Sequence, residues 1–537
     1  MLKSVWLKSI VLVIASALFI TIFTNFTMFT KANAWLANSG TSQLYMVVLV
    51  LYQFLLLLFL MALLTMHKWY KHVLVIFYLL AAFSAYFADS YGVIIDKDML
   101  INAAETNVTE VIGLLSWRAL IYFVALFIVP IFFLYKIEIT PQSVLSRISH
   151  HSVIAILAVA AVAVTFFFSS AFSASFFREQ KKIRAYSSPL NVVYAIYEIS
   201  NRTISSRTQV FTKIGQDAVI FPTSNDRKLL IFVVGETARA DRFSLNGYSR
   251  NTNPLLSKEN IVSFTNAASC GTSTAISVPC MFSIDGKDKF DLSKFKHKEN
   301  LLDVIGKTGI NILWRDNNSS SKGVADRFTY EDFTTPKNNP VCDPECRDIG
   351  MLKGLDEYIS KHNKGDIVIV LHQMGSHGPS YHQRVPKAFQ KFSPVCKTNQ
   401  LGKCTNEEIN NAYDNTILYT DYFLSEVIKF LKKYDDHFET TMFYVSDHGE
   451  SLGESGMYLH GMPYFLSPKG VTNIPMVLWF GKLELNNTQN LDMDLLRSQR
   501  NKVISHDEVF HTILGILEIQ TNIYKKEKDL QLLGIKK

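Results

Sequence analysis

The chain has 537 residues, enough for several domains, with 48% hydrophobic and only 19% charged side chains, 38 phenylalanines among them. That balance suits a partly membrane-embedded protein rather than a wholly soluble one. The net charge of +7 is too modest to argue for a polyanionic partner, and there is no nucleotide-binding glycine loop, nucleic-acid signature, internal repeat or low-complexity tract.

Five apolar stretches crowd the first third, at 10–29, 44–66, 73–88, 119–135 and 153–172. Most reach the roughly 20 residues that a helix needs to cross a bilayer, although the third is short by itself. They predict an N-terminal five-helix transmembrane bundle over 1–175. Basic residues set the orientation. Lys3 and Lys8 precede the first stretch, His67, Lys68, Lys71 and His72 separate the second from the third, and Lys136 and Arg147 lie between the fourth and fifth. The opposite loops carry Lys31 alone, or the acidic mix Asp96, Asp98, Glu105 and Glu110. The start of the chain is therefore expected on the cytoplasmic side and everything after Phe172 outside. Ala32-Asn33-Ala34 mimics a signal-peptide cleavage site, but cleavage there would leave four spans and the same final side. Residues 173–222 read as irregular, and 176–222 as an interfacial linker. There Phe176 and Phe177, followed by Arg178, Lys181, Lys182 and Arg184, suit an anionic membrane surface.

Strand-like and helical segments alternate over 223–537, which reads as one large α/β domain with a surface helix near 410–433. Three apolar runs of strand length, 229–234, 367–371 and 441–445, each stop abruptly at polar residues. The first ends at Gly235-Glu236-Thr237, the second at His372 with His377 five residues on, and the third at Ser446-Asp447-His448-Gly449-Glu450. Buried parallel strands read as such runs, and α/β sheets bind ligands beyond the carboxyl ends of their strands. Glu, Asp and His delivered together to that edge make a divalent-metal site, with zinc the best match. The small hydroxyl residues of 269–275 point to what the metal acts on, because coordination makes a threonine oxygen a nucleophile. All six cysteines, Cys270, Cys280, Cys342, Cys346, Cys396 and Cys404, follow the last apolar stretch. Six cysteines allow fifteen connectivities. Cys342 and Cys346 have the spacing of half a zinc knuckle, but no second matching pair exists, so disulfides in an oxidising compartment are the better reading.

These segments resemble membrane phosphoethanolamine transferases of the alkaline phosphatase/sulfatase superfamily. The resemblance is carried by 235–239 with 246–254, by 269–274 through 278–282, by 314–318 with Ser321, Lys322 and Gly323, by 372–379, and by 446–450 with His460 and Gly461. It is strongest to the lipid A-modifying members, the intrinsic and mobile polymyxin (colistin) resistance enzymes, and it spans essentially the whole chain. It implies a zinc site of Glu236, Thr274, Asp447 and His448, with Thr274 the nucleophile. His377 and His460 match histidines that bind a second zinc or the substrate phosphate, and Lys322 matches a substrate-contacting lysine. Asn102, Thr106 and Glu110 match residues proposed to contact the ethanolamine headgroup, and a period of four puts them on one helical face.

The resemblance also implies sequence-adjacent disulfides, with Cys270–Cys280 bracing the nucleophile loop. It implies a phosphatidylethanolamine donor, a lipid A acceptor, no nucleic acid, a monomer, and a multi-pass inner-membrane location with the catalytic domain in the periplasm. A sulfate-ester hydrolase of the superfamily would need a Cys/Ser-x-Pro-x-Arg motif, which is absent. Three rival readings are transfer to lipopolysaccharide core sugar or a periplasmic glucan, a phosphoglycerol transferase or phosphatase, and a catalytically silent membrane sensor. Retention of Glu236, Thr274, Asp447 and His448 argues against the last.

Overall fold

Long apolar runs become helices because a bilayer offers backbone N–H and C=O groups no other partner. In the computed structural model, which describes residues 8–105, 114, 116–206, 210–343, 345–488 and 491–536, four such helices are long and apolar enough to cross a membrane. They are Tyr45–Leu64, Tyr70–Tyr91, Trp117–Lys136 and Val144–Phe168. The first apolar stretch, expected as one span, is instead a helix pair, Ser9–Phe23 and Phe26–Asn38, bent by 59°. The described residues thus give four spans, or five if the bent pair is one. The break has a local cause. Thr24 Oγ1 donates to Ile20 O at 2.7 Å, and Asn25 Nδ2 donates to Ile20 O and Thr21 O. Side chains thereby cap the last carbonyls of the helix, Ile20 O together with the Thr24 N–H and Thr21 O in place of a further backbone donor.

The stretch at 73–88, short by composition, grows to 22 residues and closes on Gly92, which is left-handed at φ 67°. The Trp117–Lys136 span accommodates Pro130 just after a π turn at Val124–Ile128. Residues 173–222, expected to be irregular, carry the helices Ser170–Glu179, Lys181–Arg184 and Leu190–Ser206. Phe176 is buried against Trp35, with ring centroids 5.6 Å apart, so it packs inside the protein instead of lying on a lipid surface.

The chain divides into two units, Met1–Leu100 with Leu115–Ser200, and Ile101–Leu114 with Asn201–Lys537. The second is built on an eight-stranded sheet. Its strands are β1 (Arg227–Gly235), β2 (Ile261–Ala268), β3 (Asn311–Asp316), β4 (Thr329–Asp332), β5 (Ile367–His372), β6 (Phe438–Ser446), β7 (Asn473–Phe480) and β8 (Ile504–Ser505), in the order β8-β2-β7-β6-β1-β5-β3-β4. Only β7 runs against its neighbours; the other pairings are parallel. Leu229 to Val234 are fully buried, as two-sided burial of a central parallel strand requires.

Register then places the polar turns. Val234 pairs with His372, Gly235 with Ser446, and Asp316 with His372, so β1, β3, β5 and β6 release their loops at one edge. The helix expected at 410–433 spans Asn406–Lys432. Thr405 and Glu408 form a capping box at its start. It is not a surface helix. Its Asp414 is buried and accepts from Tyr248 and Arg250, and its buried Asp421 accepts the backbone N–H groups of Leu255 and Leu256.

Candidate metal centre and active site

The loop after β1 brings Glu236 and the loop after β6 brings Asp447 and His448 to one buried point. Their ligand atoms all lie within 4.8 Å of one another. His448 Nε2 is 3.3 Å from Asp447 Oδ2 and 3.6 Å from Glu236 Oε1. Thr274 opens the helix Thr274–Met281, and its Oγ1 donates to Glu236 Oε2 at 3.1 Å and sits 3.4 Å from His448 Nε2. All four side chains are at most 4% exposed.

The donor set fits a divalent cation. Asp447 Oδ2 has no hydrogen-bond partner among the described residues. Burial and the neighbouring Glu236 charge push Asp447 up to about 7. Burial opposes ionisation of Glu236 too, yet His448, His377 and His460 hold it below the usual carboxylate range. Two facing carboxylates and an imidazole, all out of water, repel or compete for a proton until a cation sits among them. One nitrogen and three oxygens make the four-coordinate count that zinc takes. His448 Nδ1 bonds Gly449 O at 2.9 Å, which leaves Nε2 as the lone-pair atom facing the centre.

The other expected residues are distributed around this point. His460 stacks beside His448 with ring centroids 4.4 Å apart, and His377 lies 5.2 Å from His460. His460 Nδ1 is held by Glu450 Oε1 at 3.0 Å. Burial and the nearby His448 push His460 down to about 3, while burial pushes Glu450 up to about 8. Lys322, buried and at φ 52°, donates from Nζ to Glu105 O and Ser319 O, each at 3.2 Å. Glu105 ends the helix Lys97–Glu105 that also carries Asn102. Thr106 and Glu110 lie outside the described residues. The disulfides join Cys270 to Cys280, Cys342 to Cys346 and Cys396 to Cys404.

Several polar cross-links around the centre involve residues to which the sequence reading gave no individual role. Asn318 Nδ2 donates to Glu236 Oε2 at 2.8 Å and to Gln373 O at 2.7 Å. Asp316 accepts from Trp314 Nε1, from Asn318 N and from His372 Nδ1. Asp348 accepts from Asn317 Nδ2 and from the backbone of Met374 and Gly375, joining the Lys322 loop to the His377 loop. His506 accepts from Cys270 N at 3.1 Å and bonds Ser446 O at 2.9 Å, tying the loop before Thr274 to the end of β6. Thr272 Oγ1 donates to Met462 O at 2.6 Å, and Thr272 O accepts from Gly461 N. Asp316 and Asn318 lie in the 314–318 motif and Thr272 in the hydroxyl run of 269–275, which were the available signals; Asp348 and His506 carry none.

Comparison with known proteins decides the family. Residues 228–519 match the sulfatase family, and residues 53–204 match the family described as phosphoethanolamine transferase EptA/EptB. The phosphatidylethanolamine transferase Mcr-1 of Escherichia coli is 36% identical over 97% of this chain and 98% of its own. This chain belongs to the phosphoethanolamine transferase family. The transferase is also 39% identical to phosphoethanolamine transferase EptA of Escherichia coli, over 85% of this chain and 84% of that one. The integral membrane lipooligosaccharide phosphoethanolamine transferase A of Neisseria meningitidis superposes on the transferase with a TM-score of 0.92. It is 33% identical and covers 98% of this chain and 99% of its own.

Proposed function

We propose that the enzyme moves phosphoethanolamine from phosphatidylethanolamine to a phosphate of lipid A, through a covalent phosphoethanolamine adduct on Thr274. The observation that carries this reading is the placement of the Thr274 hydroxyl at a helix N-terminus, within 3.4 Å of both Glu236 and His448, in a chain that aligns with Mcr-1 over 97% of its length. Glu236, Thr274, Asp447 and His448 would hold one zinc ion, and His377 and His460 a second ion or the substrate phosphate. A bound divalent ion would acidify the Thr274 hydroxyl and neutralise charge on the transferred phosphoryl group.

The residues do the rest. Glu236 Oε2 orients the Thr274 hydroxyl for attack on phosphorus. As the Thr274 Oγ1–P bond forms, the P–O bond to diacylglycerol breaks and diacylglycerol leaves with the proton. An acceptor phosphate oxygen then attacks the same phosphorus, the Thr274 Oγ1–P bond breaks, and the acceptor's proton passes to Oγ1 to regenerate the hydroxyl. Positive groups around the phosphoryl oxygens stabilise both transfers, a role for Lys322, His377 and His460. Glu450 fixes the His460 tautomer, leaving Nε2 for the substrate. Asn102, Thr106 and Glu110 are assigned to the ethanolamine headgroup.

Domain limits of 1–175, 176–222 and 223–537 go with this reading, as does an inner-membrane protein with a periplasmic catalytic domain acting as a monomer. Donor and acceptor are both confined to membranes, so an anchored site meets them without extracting either. Transfer masks a phosphate and adds an ammonium group, which weakens the electrostatic binding of cationic polymyxins.

Mass spectrometry of lipid A from an expressing, polymyxin-susceptible Gram-negative host tests the reading. Added phosphoethanolamine and raised resistance are expected, and Thr274→Ala should abolish both. Thr272→Ala should leave the nucleophile in place but lower the rate, because Met462 O loses its donor. Phosphoethanolamine found on core sugars and not on lipid A would move the acceptor to the first rival reading, and full activity of Thr274→Ala would remove the nucleophile.

A further inference from the structure

Thr237 sits between the two acidic metal-site residues in a conformation that a threonine avoids. Its φ is 57°, in the left-handed region, where a β-branched side chain is strained. It is fully buried. Glycine would meet the same backbone demand with less strain, so the side chain itself is what the position uses.

Both polar groups of Thr237 that can donate go to the acids. Its N–H donates to Asp447 Oδ1 at 3.1 Å, alongside His448 N at 2.7 Å. Its hydroxyl donates to Glu236 Oε1. With Oδ1 of Asp447 occupied twice, Oδ2 is the oxygen left facing His448 Nε2, and among the described residues it has no hydrogen-bond partner of its own. The strained turn is clamped from outside. Tyr413 Oη donates to Thr237 O at 2.6 Å and accepts from Arg239 N at 3.1 Å. Ala238 N donates to Ser446 Oγ at 2.8 Å, and Ser376 N to Glu236 O at 3.0 Å.

We propose that Thr237 is a positioning residue that aims both carboxylates of the centre at the cation, its N–H setting Asp447 and its hydroxyl setting Glu236. The inference rests on the metal reading of the site. Partners that orient metal ligands typically affect affinity by about 10- to 100-fold, and the hydroxyl half of the device can be removed alone.

The experiment is zinc titration of the full-length protein in lipid nanodiscs against a chromophoric chelator, with thermal unfolding as the check on folding. Thr237→Val, which keeps shape and loses the hydroxyl, should bind zinc about 10- to 100-fold more weakly, and Thr237→Ser should restore most of the loss. Thr237→Gly relieves the backbone and keeps the N–H, so it should fold even if the valine variant does not, and still bind more weakly than the parent. Parent-like affinity in the valine or glycine variant, or a serine variant as weak as valine, would overturn the proposal while leaving the metal reading intact. A parent protein that binds no zinc would overturn both.

Discussion

Replacing Gly449 by alanine tests how far the centre depends on close backbone approach. Gly449 follows His448 directly, and a Cβ built on it would lie 2.0 Å from Gly470 O. Real Cβ contacts are at least 3.0 Å, so one backbone must retreat by about 1 Å. Gly470 is itself closely packed, with the Arg239 guanidinium against it. A Cβ on Gly470 would itself be 2.4 Å from Arg239 Cζ. Arg239 is in turn held by Asp241, Glu454 and Glu450 O. The shift therefore falls on Gly449, whose N–H bonds Val471 O and whose carbonyl bonds His448 Nδ1. A displacement of about 1 Å at a reacting group costs roughly 100-fold in rate, or about 2.7 kcal/mol of barrier. Initial rates of phosphoethanolamine transfer in nanodiscs, with bound zinc measured by mass spectrometry, should show that loss in Gly449→Ala. Gly402, with nothing within 4 Å of its Cβ position, is the matched control, and Gly402→Ala should behave like the parent. A Gly449→Ala rate close to that of Gly402→Ala would refute the argument.

Two further outcomes follow from other parts of the catalytic unit. Cys270–Cys280 closes a loop with a sequence separation of 10, so Cys270→Ser with Cys280→Ser should cost about 3 kcal/mol of stability and slow transfer more than loss of Cys342–Cys346; full activity of the double variant would end the bracing idea. Asp529 is buried where Tyr524 Oη and Gln531 N bond it, and burial raises its carboxyl to about 7. A raised folded-state value means that the stability it gives is complete below its ordinary range near pH 4 and is lost as pH climbs through about 7. Asp529→Asn should therefore stabilise the protein relative to the parent at pH 8 and not at pH 4, by up to about 4 kcal/mol, read as the difference in thermal midpoint; a gain confined to pH 4 would reverse the sign.

The candidate metal centre was legible in the sequence because sheet geometry is local. A central parallel strand is a run of apolar residues, and its last residue marks the ligand edge, so Glu236, Asp447 and His448 announce themselves at the ends of β1 and β6. Thr237, Asp348 and His506 do not. Each acts through hydrogen bonds to residues far along the chain, 236 positions away for His506 and Cys270 and 210 for Thr237 and Asp447, and no periodicity records such pairs. The helix at Asn406–Lys432 was half legible. The Thr405–Glu408 capping box marks its start, but Asp414 and Asp421 look like solvent-facing charges until Arg250 and the Leu255–Leu256 turn are seen on them. In the membrane part, composition saw apolarity through Thr24 and Asn25, whose side chains cap the last carbonyls of the first helix at the bend.

These differences follow from two kinds of order at the site. Strand register fixes Gly235 against Ser446 and Val234 against His372, which aligns the loop roots. It does not fix the loop tips, where Lys322, His377 and His460 sit, or the helix start at Thr274. The tips are set by single side chains that each bridge two loops: Asn318 between Glu236 and Gln373, Asp348 between Asn317 and Met374, His506 between Cys270 and Ser446. Substitutions at the sheet core should thus be read out first as lost folding, through cavities among buried apolar residues. Substitutions at the bridging side chains should leave the fold standing and move one loop against another. In a phosphoethanolamine transferase, whose substrates must be aligned at the reacting phosphorus, that second kind of change reaches the rate before it reaches stability.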